Sequence, residues 1–326
     1  MLTPHLDPNI FVESPRAIWP RSTQAHLVRG LAESLARLGR RFTPSAVLVL
    51  LAVATAPPVQ AGFITFEAAG PNTAAITPKR DAFRAAVGGG AVAGANGSFG
   101  GLRREINWDG VPAASSDPNL LPANFFNTTS PRGAVFSTPG TGFLVSANAG
   151  GTAPVLFGFP NDFQAFSAQK LFTAVNSSVT DVNFFLPGTN IAATTSAFGL
   201  IFVDVEVPNF TKIEFFDENN NSIFTRDALV SGNQGFSFLG GVANAGERIS
   251  RVRITSGINT IVSNGVLGNP DDDVVVMDDF LYAEPGATAV PEPASIELTI
   301  LGLILIGAFS PRRSRLGAAY PGGNAG

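Results

Sequence analysis

Carboxylates are the reactive groups that this sequence gathers most closely. Five aspartates fall within nine residues, Asp271-Asp272-Asp273 and Asp278-Asp279. Uncompensated, they repel one another, and a hard cation with oxygen ligands would relieve that repulsion. A second run, Asp217-Glu218-Asn219-Asn220-Asn221-Ser222, alternates carboxylate and amide oxygens as calcium loops do. It departs from the EF-hand pattern at the sixth position, Ser222 for Gly, and at the twelfth, Ala228 for Glu. Candidate calcium ligands are thus Asp217, Asn219, Asn221, Asp271 and Asp273, against a plainer reading as a hairpin turn and a solvated acidic loop. A strand is predicted over Val274–Met277, which sends Asp278 and Asp279 to opposite faces. A third group, Glu105, Trp108 and Asp109, sets two carboxylates beside an indole. An exposed indole is a platform for a sugar ring, against a plainer reading of Trp108 as core packing, and two carboxylates about 5–10 Å apart are what glycoside hydrolysis needs.

Other chemistry is excluded by composition. The chain has no cysteine, and its two histidines are His5 and His26. Both precede the export cleavage point deduced below, so Ser-His-Asp, Cys-His and histidine-zinc chemistry are closed to the mature chain. Between Gly62 and Ala289 there are 20 acidic and 12 basic residues, which argues against a basic nucleic-acid-binding face. The glycine-rich run Gly88 to Gly101 carries no Lys after a glycine and follows a helix instead of opening one, so it reads as a flexible loop and not a phosphate loop. Ser167-Ala168-Gln169-Lys170 matches an S-x-x-K pattern, but the partner motifs S-D-N and K-T-G are missing.

The elements that must position these residues read as β. With 35 Gly, 24 Pro and 27 Phe in 326 residues and only 14% charged, the chain has apolar mass for a core and many turn formers. Predicted strands cover Phe63–Glu67, Gly142–Ser146, Val179–Leu186, Phe198–Val207, Lys212–Asp217, Gly235–Leu239, Ile249–Thr255 and Val274–Tyr282. Arg251-Val252-Arg253-Ile254 alternates as a half-buried strand should, and Phe198–Val203 is apolar throughout, as for a strand covered on both faces. One helix is predicted over Lys79–Val87, capped by Thr77 with Pro78 first, and a weaker one over Asp162–Phe172. So few helices cannot supply the crossovers of a parallel sheet, and an antiparallel, jelly-roll-like β-sandwich is the expected fold class.

The two ends read as addresses. Arg40-Arg41, an apolar run from Ala46 to Ala54, Pro57-Pro58 and then Val59-Gln60-Ala61 make a secretory signal peptide, with cleavage expected between Ala61 and Gly62. Near the C-terminus, Ile296–Phe309 is apolar over fourteen positions, with Glu297 just inside it. As a helix this run covers about 21 Å, short of the ~30 Å hydrocarbon core. Arg312, Arg313 and Arg315 then sit on the cytoplasmic side, as do Arg40 and Arg41, and the body between lies outside the inner membrane.

Val290-Pro291-Glu292-Pro293-Ala294-Ser295, followed by the apolar run and the arginine cluster, resembles the PEP-CTERM sorting signal. That resemblance covers about 26 residues and implies a label, not an activity. It implies export by a Gram-negative, exopolysaccharide-making cell, and transient anchoring in the inner membrane. It also implies the secretion machinery and an exosortase as partners, the latter removing the tail near Pro-Glu-Pro. The expected layout is an upstream extension (1–36), a signal peptide (37–61), a secreted β-sandwich (62–289), the sorting signal (290–315) and a tail (316–326). The functional expectation is a non-enzymatic cell-surface or exopolysaccharide-associated protein that binds glycan; the alternative is a carboxylate-based glycoside hydrolase.

Overall fold

A computed structural model describes residues 62–147, 156–262, 265–266 and 272–287. The described residues start with β1 (Phe63–Gly70) and α1 (Thr73–Val87), then β2 (Ser98–Phe99), β3 (Arg103–Ile106) and the single turn α2 (Phe125–Thr128). Next come β4 (Ala134–Ser137), β5 (Gly142–Val145), β6 (Phe172–Val175), β7 (Val179–Phe184), β8 (Ala193–Thr194) and β9 (Ala197–Val203). The last group is β10 (Lys212–Phe216), β11 (Ser222–Asp227), β12 (Phe236–Ala243), β13 (Arg251–Thr255), β14 (Ile261–Val262), β15 (Gly265–Val266), β16 (Val276–Ala283) and β17 (Gly286–Ala287).

These strands form an all-β sandwich. The larger sheet runs β1-β12-β9-β16-β6-β14-β15, with β5 paired to β6; the smaller runs β11-β10-β13-β7-β4. Among the described residues, pairing is antiparallel except where Ile261 of β14 meets Val175 of β6 and at the isolated bridge between Asn259 and Val274. The far edge of β16 is shared: Met277 pairs with β6, and Phe280–Ala283 pair with β3. Between the sheets lies a Phe-rich core to which Phe172, Phe198, Phe202 and Phe280 come from one side and Phe136, Phe184 and Phe215 from the other. Val252 and Ile254 of β13 point into it, while Arg251 and Arg253 point out and both pair with Asp181, at 3.0 and 2.8 Å.

The larger sheet is covered on its outer face too, and β9 and β16 are therefore buried at every position. α1 lies on that face through Ile76 and Phe83. The Phe83 ring sits edge-on to Phe66 and Phe238, at 5.7 and 5.6 Å, over the cross-strand pair Gly199–Gly240. A Cβ on Gly240 would stand 2.9 Å from that ring, so the glycine pair is the seat of the helix.

Two helix boundaries differ from expectation. α1 begins at Thr73 and not at Pro78, because Asn72 accepts a cap bond from the Ala75 N–H and Thr77 turns its hydroxyl back to the Thr73 carbonyl. Pro78 is carried inside the helix. Asp162–Phe172 is no helix: after a turn it crosses the outer face in irregular conformation and enters β6 at Phe172. Its backbone N–H groups at Phe166 and Ser167 donate to Asp278 instead of to a helical ladder. Among the described residues, no helix is long and apolar enough to cross a membrane.

Candidate functional site

The sequence pattern places Asp278 and Asp279 on opposite faces, and a β-bulge overturns this. Met277 pairs with Phe202 and Phe280 with Leu200, so the two aspartates together oppose Ile201 alone. The extra residue breaks the alternation. It falls where the far edge of β16 changes partner from β6 to β3, leaving no strand beside it there. The two carboxyls meet there, within hydrogen-bonding reach of each other.

Both are buried, and their hydrogen bonding is unequal. Asp278 accepts from the Phe166 N–H at 2.6 Å and the Ser167 N–H at 3.3 Å on Oδ2, and from the Ser167 hydroxyl at 3.0 Å on Oδ1. Asp279 Oδ1 is buried with no donor. Burial raises the pKa of Asp279, and raises that of Asp278 well above the carboxylate range with help from the Asp279 charge beside it. Two adjoining carboxylates in so dry a place cannot both ionise, so the pair retains a proton.

Asp279 forms part of the wall of a 550 Å³ cleft on the outer face, together with Arg80, Arg84, Glu105, Asn107, Arg132 and Ser167. Glu105 is clamped by Arg84, which donates from Nε at 2.9 Å and Nη2 at 2.6 Å, and by Arg103 Nε at 2.6 Å. Arg103 is fully buried and also donates to the carbonyls of Arg84, Gly88 and Gly90. It thereby ties the C-terminus of α1 to the glycine-rich loop and stacks over Phe99, 4.4 Å from the ring centre. The loop expected to be flexible is thus pinned: a Cβ on Gly89, at φ 98°, would stand 2.2 Å from the Phe99 carbonyl. Arg132 lies 5.0 Å over the Phe126 ring and donates Nη1 to the Ser130 hydroxyl at 2.6 Å. Burial lowers its pKa, and its Nε is buried without an acceptor.

Of the predicted sugar site, only Glu105 reaches this cleft. Trp108 is a core residue, 1% exposed, and the platform expectation is corrected. One indole face stacks on Phe172 at 4.0 Å, Phe126 and Phe280 sit edge-on to it, and Nε1 donates to the Asp278 carbonyl at 3.1 Å. In a phenylalanine core, a ring whose one polar atom finds a buried carbonyl gains more by burial than by facing water. Asp109 lines no part of this cleft and accepts from the Lys170 N–H at 3.2 Å and Asn107 Nδ2 at 3.3 Å, with burial raising its pKa. Ser167 and Lys170 form no pair. The serine hydroxyl donates to Asp278 and to the Asn107 carbonyl, and the buried Lys170 ammonium to the Val111 carbonyl and Ser116 hydroxyl.

Two of the candidate calcium ligands are held by backbone donors, each in its own run. Asp217 closes the β10–β11 hairpin by accepting from the Asn219 and Asn221 N–H groups at 2.9 and 2.8 Å and from Asn221 Nδ2 at 2.9 Å. Asp273 is buried and accepts from the Glu206 and Val207 N–H groups at 3.0 and 3.4 Å. The two stand at opposite ends of β10, since the Asp273 carbonyl binds Ile258 beside Gly257, whose N–H meets Thr211. A strand of this length separates them by about 17 Å. Among the described residues, no three His, Cys, Asp or Glu side chains gather as a metal group.

Gly62 lies just ahead of β1, its N–H donating to Glu247 at 2.5 Å. Ala61, Asp271, and the sorting motif Val290, Pro291, Glu292, Pro293, Ala294, Ser295, Arg312, Arg313 and Arg315 lie outside the described residues. Sequence reasoning passed over Arg80, Arg84 and Arg132, and it noticed Asp279 in the acidic cluster but set it on the face opposite Asp278. No family model matches the chain and no curated protein matches it, so the chemistry of the cleft itself is the guide to its ligand.

Proposed function

We propose that this is an exported, non-enzymatic cell-surface or exopolysaccharide-matrix protein that binds glycan in the cleft on its outer sheet face. The observation that carries the binding reading is the cleft itself, a 550 Å³ recess in which carboxyl, guanidinium, amide and hydroxyl groups stand beside the Phe99 and Phe166 rings. The Asp279 carboxyl on its wall offers an acceptor to a sugar hydroxyl. Asn107, Ser167 and the arginines offer further donors, and the Phe166 and Phe99 rings on the walls offer apolar faces. The export reading is supported by the signal-peptide pattern before Gly62 and by the resemblance of residues 290–315 to an exosortase sorting tail.

Co-sedimentation of the purified chain with exopolysaccharide from the producing organism tests the binding. Asp279→Ala should abolish pelleting while the protein stays folded by circular dichroism; undiminished pelleting of that variant would move the site elsewhere. The second reading, a glycoside hydrolase, is favoured by one observation: Asp279, with a raised pKa, faces the same cleft as Glu105. Against it, Arg84 and Arg103 engage both oxygens of Glu105. Release of new reducing ends from the polymer would decide for the enzyme.

A further inference from the structure

A second recess, of 690 Å³, adjoins the cleft on the outer face. α1 supplies it with Asp81 and Ala85, and the glycine-rich loop with Gly90 and Ala91. The same loop gives the cleft Ala93, Gly94 and Asn96. Arg80, Arg84 and Phe99 belong to both recesses, so the two abut there. One trough therefore follows the helix and the loop, and Ala85, Ala91 and Ala93 are exposed small residues along it. Its walls are already fixed. Arg80 is held by Asp81 at 2.8 Å and Arg84 by Glu105 at 2.6 Å, while buried Arg103 ties the loop to α1 through the carbonyls of Arg84, Gly88 and Gly90. A preformed site loses little binding free energy to its own ordering.

We propose that the two recesses form one extended site whose ligand is a run of consecutive sugars in a polysaccharide chain, an inference that rests on the glycan-binding reading above. Each recess alone has the size of a small-ligand site. Both offer groups that bond hydroxyls: the exposed Asn96 and Asn107 in the cleft, and the Asp81 carboxylate, 51% exposed, in the second recess. Phe99 lies at the junction, where its ring offers apolar surface to a sugar passing from one recess to the other. A chain whose first units occupy the cleft holds its next units beside the second recess. The second contact is then intramolecular and adds affinity without a second loss of translational freedom. A short oligosaccharide fills one recess and gains nothing from the other.

Isothermal titration of the full chain with di-, tetra- and hexasaccharide fractions of the exopolysaccharide tests this. The hexasaccharide should bind about tenfold or more tighter than the disaccharide, the gain of joining two contacts in one ligand. Ala85→Trp obstructs the second recess and Ala93→Trp the cleft, both from exposed positions where a larger side chain leaves the core untouched. Ala85→Trp should remove the length gain and leave disaccharide affinity as it was, whereas Ala93→Trp should weaken every length. Equal binding of di- and hexasaccharide, or a length gain that survives Ala85→Trp, would overturn the extended site and leave the glycan reading intact. Failure of every fraction, together with no pelleting on exopolysaccharide, would remove the glycan reading itself and this inference with it.

Discussion

Asp204 makes the protein's stability fall as pH rises, and replacing it with asparagine should abolish that part of the fall. The residue follows β9 at φ 73° and is 5% exposed. It accepts one backbone bond, from the Gln234 N–H at 2.8 Å, and has Glu206, Asp273 and Asp162 around it. Burial first, and those acids second, raise its pKa from 3.8 to about 7. A raised folded-state pKa means that the native chain holds the proton more tightly than the unfolded one. The resulting stability is fully present below pH 3.8 and is lost as pH climbs through 7. At 1.36 kcal/mol for each pH unit between the two values, the loss is up to about 4 kcal/mol. The amide introduced by Asp204→Asn stays neutral and keeps the oxygen that Gln234 needs, and asparagine is among the residue types best tolerated at positive φ. Urea unfolding at pH 4, 6 and 8 should therefore find D204N close to the parent at pH 4 and more stable by up to about 4 kcal/mol at pH 8. Parallel stability–pH curves for the two proteins would refute the reasoning. Asp109, Asp117, Asp273, Asp278 and Asp279 are also raised by burial, so the parent as a whole should be most stable in mild acid.

Trp108→Ala should destabilise the fold by about 3–5 kcal/mol in the same assay, as a buried ring does; a near-zero change would restore the platform reading of the indole. Gly240→Ala should cost about 1–3 kcal/mol by pressing a methyl group into the Phe83 ring, and hydrogen exchange should show α1 loosening before the sheet. N-terminal sequencing of the exported chain should begin at Gly62, whose amino group would then pair with Glu247. A start beyond Phe63 would cut into the pairing of β1 with Ala243 and contradict the cleavage point.

Much of the sandwich was legible because its signals are local. Phe198–Val203 reads as a strand covered on both faces, and it is one, since α1 and the second sheet lie on its two sides. The alternation in Arg251–Ile254 survives unchanged, and Asp217 makes the hairpin turn that its neighbouring asparagines suggest. The cleft was hidden because its making is non-local. Whether β16 bulges at Asp278-Asp279 depends on where β6 stops and β3 begins along its edge, and those strands come from more than 100 residues upstream. The glycine-rich loop looks loose in sequence and is held by Arg103, a residue beyond its end whose side chain returns to carbonyls at Gly88 and Gly90. Trp108 carries the right type for a sugar platform, but its surroundings of Phe126, Phe172 and Phe280 are assembled only on folding.

The most direct test of the central claim, that the outer-face cleft is a glycan site, is a crystal structure of the protein grown with an oligosaccharide released from the exopolysaccharide. Sugar density in the cleft, in contact with Asp279 on its wall, is the predicted result. A saccharide seated elsewhere on the body, with the cleft holding only water, would contradict it.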